Sequence, residues 1–567
     1  MDLRARAERW LADDPDPDTR AELRSLLDAG DDPALAERFA EPLAFGTAGI
    51  RGPLGAGPAR MNRAVVRRVT AAVARRLQAD PGSAGRPGLV GRDARHKSDQ
   101  FAQDAARVLA GAGLRVVAFD RPVATPLVAF AVRRLQAAAG VQITASHNPP
   151  GDNGYKLYWS DGMQIIPPLD AEIAAGVERV GAVADLPLAP AASPLIASAG
   201  GDLVESYLQQ ALRVALHPGE RDLAVVYTPL HGVAAEPAVA LLARAGFADV
   251  RVVPEQARPD PAFPTVAFPN PERPGALDLA LALAERTRAD LVLANDPDGD
   301  RIAMAIPDPE GWRVLSGDEI GCLLADYLLA EGPGGPERQV ATTVVSSRLL
   351  RRIAEAHGVG YAETLTGFKW LARTATDAAA QGRRPVLAYE EALGVMVGDA
   401  VLDKDGLSAA LVAADLAAHC KAAGRTVGDA LDDLARRFGL HATAGRSLRL
   451  EDGGPAPAGD ALARLHRAAP RRVAGIAVVE VADHCAGVRS RPDGTVEALA
   501  TPPTDLLGLS LADGSRLQVR PSGTEPLLKF YVEVVEPVAH EPVSAVRRRA
   551  RRRLRELGDA FVALVSG

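Results

Sequence analysis

The sequence predicts an α/β protein that ends in an α+β piece, and three observations carry that expectation. Short apolar runs alternate with Ala/Leu/Arg-rich helical patterns at least three times before residue 420, which implies parallel or mixed sheets covered by helices. After about residue 440 the pattern changes to a loop followed by an alternating strand, "LQVRPSGTEPLLKFYVEVV". Ala/Pro/Gly-rich stretches at 183–195, 330–339 and 450–460 read as linkers and divide the 567 residues near 200, 330 and 450.

In chain order, "MDLRARAERWLADD" reads as an amphipathic helix without the apolar core of a signal peptide. "RPGLVGRDAR" is a strand, "SDQFAQDAARVLAGAG" a helix and "LRVVAFD" a strand; "LAVVYTPLHG", "AAEPAVALLARAG" and "ADVRVV" repeat the pattern. "ALDLALALAER" leads into the strand of "ADLVLANDPDGDR", and "QVATTVVSS" and "PVLAYEEALG" are later strands. The last helix, "AVRRRARRRLREL", carries Val, Leu and Leu on one stripe, so its arginines read as a solvated face.

Composition excludes several classes. Net charge is -7 and aromatics are 4% of the chain, which removes the basic, aromatic-rich face of a nucleic-acid binder. No apolar run is long enough for a membrane span. Cys322, Cys420 and Cys485 lie far apart without metal-ligand spacing, which suggests a reducing cytoplasm. The chain holds six lysines against 59 arginines, and five of the six fall in or beside the Gly/Pro/acid-rich stretches below.

"NDPDGDR" sets Asp296, Asp298 and Asp300 at every second position directly after a strand. Crowded carboxylates repel unless a hard cation such as Mg²⁺ sits among them. An EF-hand would need Gly at Arg301 and Glu at Pro307, so that reading fails. "TASHNPPGDNGYK" puts Ser146 beside His147, with Asn148 and Lys156 following; no serine lies in G-x-S-x-G and no Gly-Lys pair exists for a Walker loop. Ser146 is therefore either a helix cap or a phosphate carrier. "FGTAGIRG" (45–52), ending in Arg51, and "RPSGTEP" (520–526), with Arg520, Ser522, Gly523 and Thr524, offer N–H groups and guanidinium to anions. "YEEALG" places Glu390 and Glu391 on opposite faces of extended chain, and "LDKDG" puts Lys404 between aspartates, as a surface pair or a proton-transfer group. One metal loop, one serine and two distant anion loops suit a ligand with one phosphate in flight and another held.

In order along the chain, "FGTAGIRG", "TASHNP", "DPDGDR", "YEEALG" and "RPSGTEP" resemble the signatures of the α-D-phosphohexomutase family of phosphoglucomutases and phosphomannomutases. "GAGPARMN", "TPLHG", "LTGFKW" and "VLDKDG" look like the longer branch that includes phosphoglucomutase-2 and phosphopentomutase. The resemblance implies four domains around a central cleft, three related mixed α/β units plus a smaller α+β C-terminal domain. These would be 1–205 with the phosphoserine loop, 206–330 with the metal loop, 331–450 with the sugar-binding loop and 451–567 with a phosphate-binding loop. It further implies that Ser146 carries phosphate and that Asp296, Asp298 and Asp300, with an oxygen on Ser146, hold Mg²⁺. Arg51, His147, Lys156, Arg301 and Lys404 would surround the transferring group, with His147 or Lys404 as base, the latter by a lowered pKa. Glu390 and Gly367 would lie in loops that choose the sugar; Arg520, Ser522, Gly523 and Thr524 would hold the other phosphate. The implied reaction moves phosphate between C1 and C6 of glucose phosphate through a sugar bisphosphate, with phosphomannomutase and phosphopentomutase as alternatives. Its partners would be small-molecule sugar phosphates, not nucleic acid or membrane, on a monomer or dimer. Ala392 departs from the serine of many glucose-specific members and is usual in the pentomutase-like branch.

Overall fold

A computed structural model describes residues 2–46, 48–449, 458–522 and 527–566. The first unit is a six-stranded sheet in the order Ile50–Pro53, Asp152–Trp159, Ala139–Ile143, Gly88–Arg92, Val116–Ala118, Ile196–Ser198. Its last four strands are parallel, and the first two are antiparallel. The second unit runs Gly311–Val314, Ala303–Asp308, Leu291–Ala294, Ala224–Thr228, Asp249–Val252, again with a parallel core and an antiparallel edge. The third runs Gly360–Thr364, Arg338–Thr343, Arg384–Glu390, Gly394–Val397, and only the last is antiparallel.

The three units share a feature that positions the site. A buried parallel strand ends, the chain turns, and it returns antiparallel: Ala139–Ile143 to Asp152–Trp159, Leu291–Ala294 to Ala303–Asp308, Arg384–Glu390 to Gly394–Val397. Those three turns carry Ser146, the aspartates, and Glu390 with Ala392. The central strands are nearly all apolar because helices cover both faces.

The fourth unit is an antiparallel sheet running from Leu440–Arg449 through Leu527–Glu536, Arg516–Pro521, Leu507–Leu511 and Ile476–Asp483 to Val488–Ser490 and Val496–Ala498. The helix Val543–Ser566 lays Val546, Ala550, Leu554, Leu557, Phe561 and Val565 inward at spacings of three and four. Arg548, Arg551, Arg552 and Arg555 face solvent, as the sequence pattern implied, but Arg547, Arg549 and Arg553 are half-buried and pair with Asp432, Glu536 and Asp513.

Two segments sit differently from the division made on linkers. The helix Gly317–Glu331 packs on Arg384–Glu390 of the third unit, where Gly321 leaves room for the Tyr389 ring, 2.2 Å from where a Cβ would stand. Leu440–Arg449 pairs along its whole length with Leu527–Glu536 of the fourth. The Gly/Pro stretch after residue 331 is thus a loop inside a unit. Composition marks loops, and only packing tells an internal loop from a boundary. Among the described residues no helix is long and apolar enough to cross a membrane.

Candidate active site

Ser146 stands in the left-handed region, φ +53°, just past its strand, where a residue other than glycine is held only by its surroundings. Here the surroundings are specific. Thr144 Oγ1 accepts from Ser146 N at 2.8 Å. The buried Arg95 guanidinium donates to the carbonyls of Ser146 (2.7 Å), Asn148 (2.5 Å), Pro149 (2.7 Å) and Asp152 (3.1 Å). No helix follows Ser146, so it caps none. Its hydroxyl donates to Asp296 Oδ2 at 2.7 Å and lies 3.1 Å from His147 Nδ1.

The aspartate turn forms where Pro297 and Gly299, φ +73°, bend the chain after Leu291–Ala294. Asp296, Asp298 and Asp300 are fully buried. Lys156, equally buried on the returning strand of the first unit, donates from Nζ to Asp298 Oδ2 and Asp300 Oδ2, both at 2.7 Å. Thr125 Oγ1 adds a 2.6 Å bond to Asp298 Oδ2, and Arg301 N donates to Asp296 Oδ1 at 3.0 Å. The three carboxylates each bring an oxygen within 4.8 Å of the others. Oδ1 of Asp298 and of Asp300 are buried without a hydrogen-bond partner. Such atoms cost free energy unless something else satisfies them. A hard cation that takes carboxylate oxygens fits them.

Electrostatics follow from burial and neighbours. Burial and the charges of Asp298 and Asp300 hold Asp296 well above the usual carboxylate range. Burial also opposes charge on Asp300, but Lys156, Lys404 and Arg301 outweigh it and hold that carboxyl low. Burial, reinforced by Arg301 and Arg51, pushes His147 well below its ordinary value, so the imidazole is neutral at neutral pH.

Lys404 corrects an expectation. Its Nζ lies 3.4 Å from Asp300 Oδ2, 3.5 Å from Asp403 Oδ1 and 5.2 Å from the centre of the Phe368 ring. Burial works against its charge, yet Asp300, Asp403 and Glu390 outweigh burial and raise its pKa. It stays an ammonium and is no base of lowered pKa.

Around this centre Arg51 reaches Asn148 Oδ1 from Nη1 at 3.3 Å, and Arg301 pairs with Glu272 Oε2 at 3.2 Å. Gly394 lets Lys404 and Glu390 share one place: its Cβ would stand 2.5 Å from Lys404 Cδ and 2.9 Å from Glu390 Cγ. Gly367, φ +108°, turns the chain into the helix whose Phe368 faces Lys404. Glu391 parts from Glu390: its Oε2 accepts from Thr343 and Ser346 hydroxyls at 3.4 Å. Burial, then Glu390 and Asp318, push it up to about 7 against the pull of Arg520.

Arg520 and Ser522 belong to a second cluster. Arg520 Nε donates to Tyr531 Oη at 3.2 Å, and Ser522 N donates to Leu527 O at 2.8 Å. Gly523 and Thr524 lie outside the described residues. A cavity of about 780 Å³ runs between the second, third and fourth units, lined by Glu391, Ala392 and Tyr531 among others. One centre therefore gathers Ser146, His147, Lys156, Arg51, Arg301, Lys404, Glu390 and the aspartates, while Arg520 and Ser522 stand apart on the fourth unit. Sequence reasoning missed Arg95 and Thr125, and placed Asp403 only as a chain neighbour of Lys404. "GRDAR" after a strand was a signal for Arg95; Thr125 in "VATPLV" had none.

Four domain families match in order: phosphoglucomutase/phosphomannomutase alpha/beta/alpha domain I over residues 42–183, domain II over 205–311, domain III over 316–438 and the C-terminal domain over 470–544. A probable phosphomannomutase of Haemophilus influenzae is 38% identical over 83% of this chain and 93% of its own. A phosphopentomutase of Mus musculus is 34% identical over 95% and 91%, and a phosphoglucomutase of Staphylococcus haemolyticus is 34% identical over 88% and 91%.

Proposed function

Since this chain belongs to the phosphoglucomutase/phosphomannomutase family and is a phosphosugar mutase, we propose that Ser146 carries the phosphoryl group between the anomeric and the terminal oxygen of an aldose phosphate. The observation that carries this is the Ser146 hydroxyl, 2.7 Å from a buried aspartate triad and ringed by Arg51, Lys156, Arg301 and Lys404. Phosphoryl transfer asks for positioning and charge neutralisation more than for new covalent chemistry.

In the first half-reaction the P–O bond to Ser146 breaks as a bond to the sugar's free hydroxyl oxygen forms, and the proton lost by that hydroxyl ends on Ser146 Oγ, so that a sugar bisphosphate and a free serine result. In the second Ser146 Oγ attacks the other phosphate, and its proton ends on the sugar oxygen that leaves. His147 Nδ1, neutral and 3.1 Å from Ser146 Oγ, is placed to relay the proton at the serine within each half-reaction. Lys156 and Lys404, kept cationic by their aspartates, offset charge on the equatorial oxygens. Asp296, Asp298 and Asp300, with an oxygen on Ser146, would hold Mg²⁺, which supplies Lewis-acid neutralisation of the moving group. Arg520 and Ser522 would hold the second phosphate, and Gly367, Glu390 and Ala392 would meet the sugar. The partners are then small sugar phosphates, with a bisphosphate to prime the serine. Three unpaired cysteines support a reducing, cytoplasmic compartment.

Glucose 1- and 6-phosphate is the first reading of the sugar. Ala392 on the cavity wall, with no hydroxyl to donate, favours a second: ribose or deoxyribose 1- and 5-phosphate. Incubation with a sugar bisphosphate should add one phosphate to the intact mass, at Ser146. Ser146→Ala should take neither phosphate nor turnover, with a loss of at least about 10⁴-fold; full activity in that variant would sink the shuttle. The ratio of kcat/KM for ribose and glucose 1-phosphates decides the sugar.

A further inference from the structure

Far from Ser146, two histidines and a glutamate from distant parts of the chain meet. His217 lies in the loop before Ala224–Thr228, Glu331 ends the helix Gly317–Glu331, and His419 sits in the helix Gly406–Ala422. The imidazoles stack with centroids 4.3 Å apart and planes 14° from parallel, and the Tyr327 ring flanks both at 6.1 and 5.9 Å. One ligand atom from each of His217, Glu331 and His419 falls within 4.8 Å of the other two.

Three further facts separate this cluster from chance crowding. His217 Nε2 is a buried atom, 3.4 Å from Glu331 Oε2, that makes no hydrogen bond. His419 Nδ1 lies 2.9 Å from Glu220 Oε2, the carboxylate-on-imidazole contact that fixes a ring's tautomer and leaves its other nitrogen free to ligate. The backbone beneath is held by Asp415, which accepts from Leu216 N (2.7 Å), Arg221 Nη1 (2.7 Å) and Tyr327 Oη (2.9 Å).

The geometry points to a transition-metal site, for Zn²⁺ or a like ion, held by His217, Glu331 and His419 and supported by Glu220. Two imidazoles and a carboxylate are the borderline donor set that zinc takes, with a fourth position for water. Bonds of about 2.0–2.1 Å put ligand atoms roughly 3.3 Å apart, so the rings must tilt out of their stack, a change of χ2 within its broad well. Glu331 and Glu220 supply two negative charges for a divalent ion. The site stands at the opposite end of the second sheet from the aspartates. Lys421, two residues past His419, bonds Asp290 at 2.9 Å just before Leu291–Ala294, and Asp296 follows that strand. A metal there would tie the second unit to the third without touching substrate.

The test titrates ZnCl2 into the full-length protein in saturating Mg²⁺, which occupies the aspartate turn. One equivalent should bind. The pair His217→Ala/His419→Ala should weaken that binding by at least about 100-fold, and Glu220→Gln by about 10-fold, with mutase turnover in Mg²⁺ unchanged. Binding that is absent, or that survives the double substitution, overturns the site. Should the double variant not fold, Co²⁺ added to the unaltered protein still decides. Intense four-coordinate visible bands that Glu331→Gln removes support the site, and their absence or their persistence in Glu331→Gln overturns it.

Discussion

Units one to three share one apolar core, whereas unit four joins them through smaller apolar clusters mixed with a polar network. A single apolar cluster runs through the first three, from Phe130 and Tyr207 through Tyr227 and Leu293 to Tyr389 and Leu411. The fourth has its own core, with Leu509, Val519, Phe530 and Phe561. It meets the third through two small apolar clusters, Ala435 with Val543, Val546 and Ala550 and Val344 and Val345 with Leu506, and through one buried carboxylate. Glu533 accepts from Ser347 Oγ (2.8 Å), Arg348 N (2.9 Å) and Arg348 Nε (2.7 Å) of the third unit, and lies 2.9 Å from His441 Nδ1 of its own sheet. Arg516 and Gln518 reach back to Val344 O at 2.9 and 2.8 Å. Apolar interfaces resist sliding because separation exposes their whole area. Polar ones exchange partners with water at a smaller net change. The proposed phosphoryl-transfer centre is built on the first kind, and Arg520, proposed to hold the other phosphate, rides on a joint that adds the second.

Lys156→Met attacks the rigid part and should have the largest effect. It leaves buried carboxylates without their ammonium, a loss of about 3–5 kcal/mol in stability. Turnover should fall by about 10³-fold; thermal unfolding and a coupled assay read the two. Glu533→Gln attacks the polar joint and should cost about 2–3 kcal/mol. Burial opposes the Glu533 charge, but Arg516, His441 and Arg348 outweigh it and hold the carboxyl far below its ordinary value. Its stabilisation is therefore present above about pH 4.5 and is lost as pH falls below that. Acid titration followed by limited proteolysis between the third and fourth units should show a steep limb in the wild type and a flatter one in the variant.

Arg520→Ala leaves the body intact and should raise KM by about 10- to 50-fold, while a bisphosphate at saturating concentration still phosphorylates Ser146. Failure of saturating bisphosphate to phosphorylate Ser146 would place Arg520 in the rigid centre instead. Glu391→Gln should be the smallest change. With its carboxyl raised to about 7, the wild type is relatively more stable below about pH 4.5 and loses that advantage as pH rises through 7. The variant should gain about 1 kcal/mol at pH 8 and nothing at pH 4.5, since Glu391 is only half-buried. Denaturant midpoints at the two pH values measure it.

Much of the centre was legible because its parts are local. Carboxylates at alternate positions after an apolar strand announce themselves, and so does a serine in a Pro/Gly-rich turn. Lys156 stood out by rarity, although nothing near it in sequence named Asp298 and Asp300 as its partners. Lys404 misled because its neighbours in the chain are only part of its field: Asp300 and Glu390 come from other segments. Glu533 was invisible as a joint, since one acid in the alternating "FYVEVV" reads as a solvent-facing strand residue.

By itself the sequence determined the β-α-β order, the three strand-end turns and the residue types available at each, because strand, turn and charge crowding are properties of adjacent residues. Only the tertiary structure decided which charges face one another. It brought Lys156 to aspartates more than 140 positions away, kept Lys404 an ammonium, and set the linker-free boundary at Gly317–Glu331. Protonation and partnership depend on burial and on charges within a few ångströms, and those distances do not exist until distant segments pack.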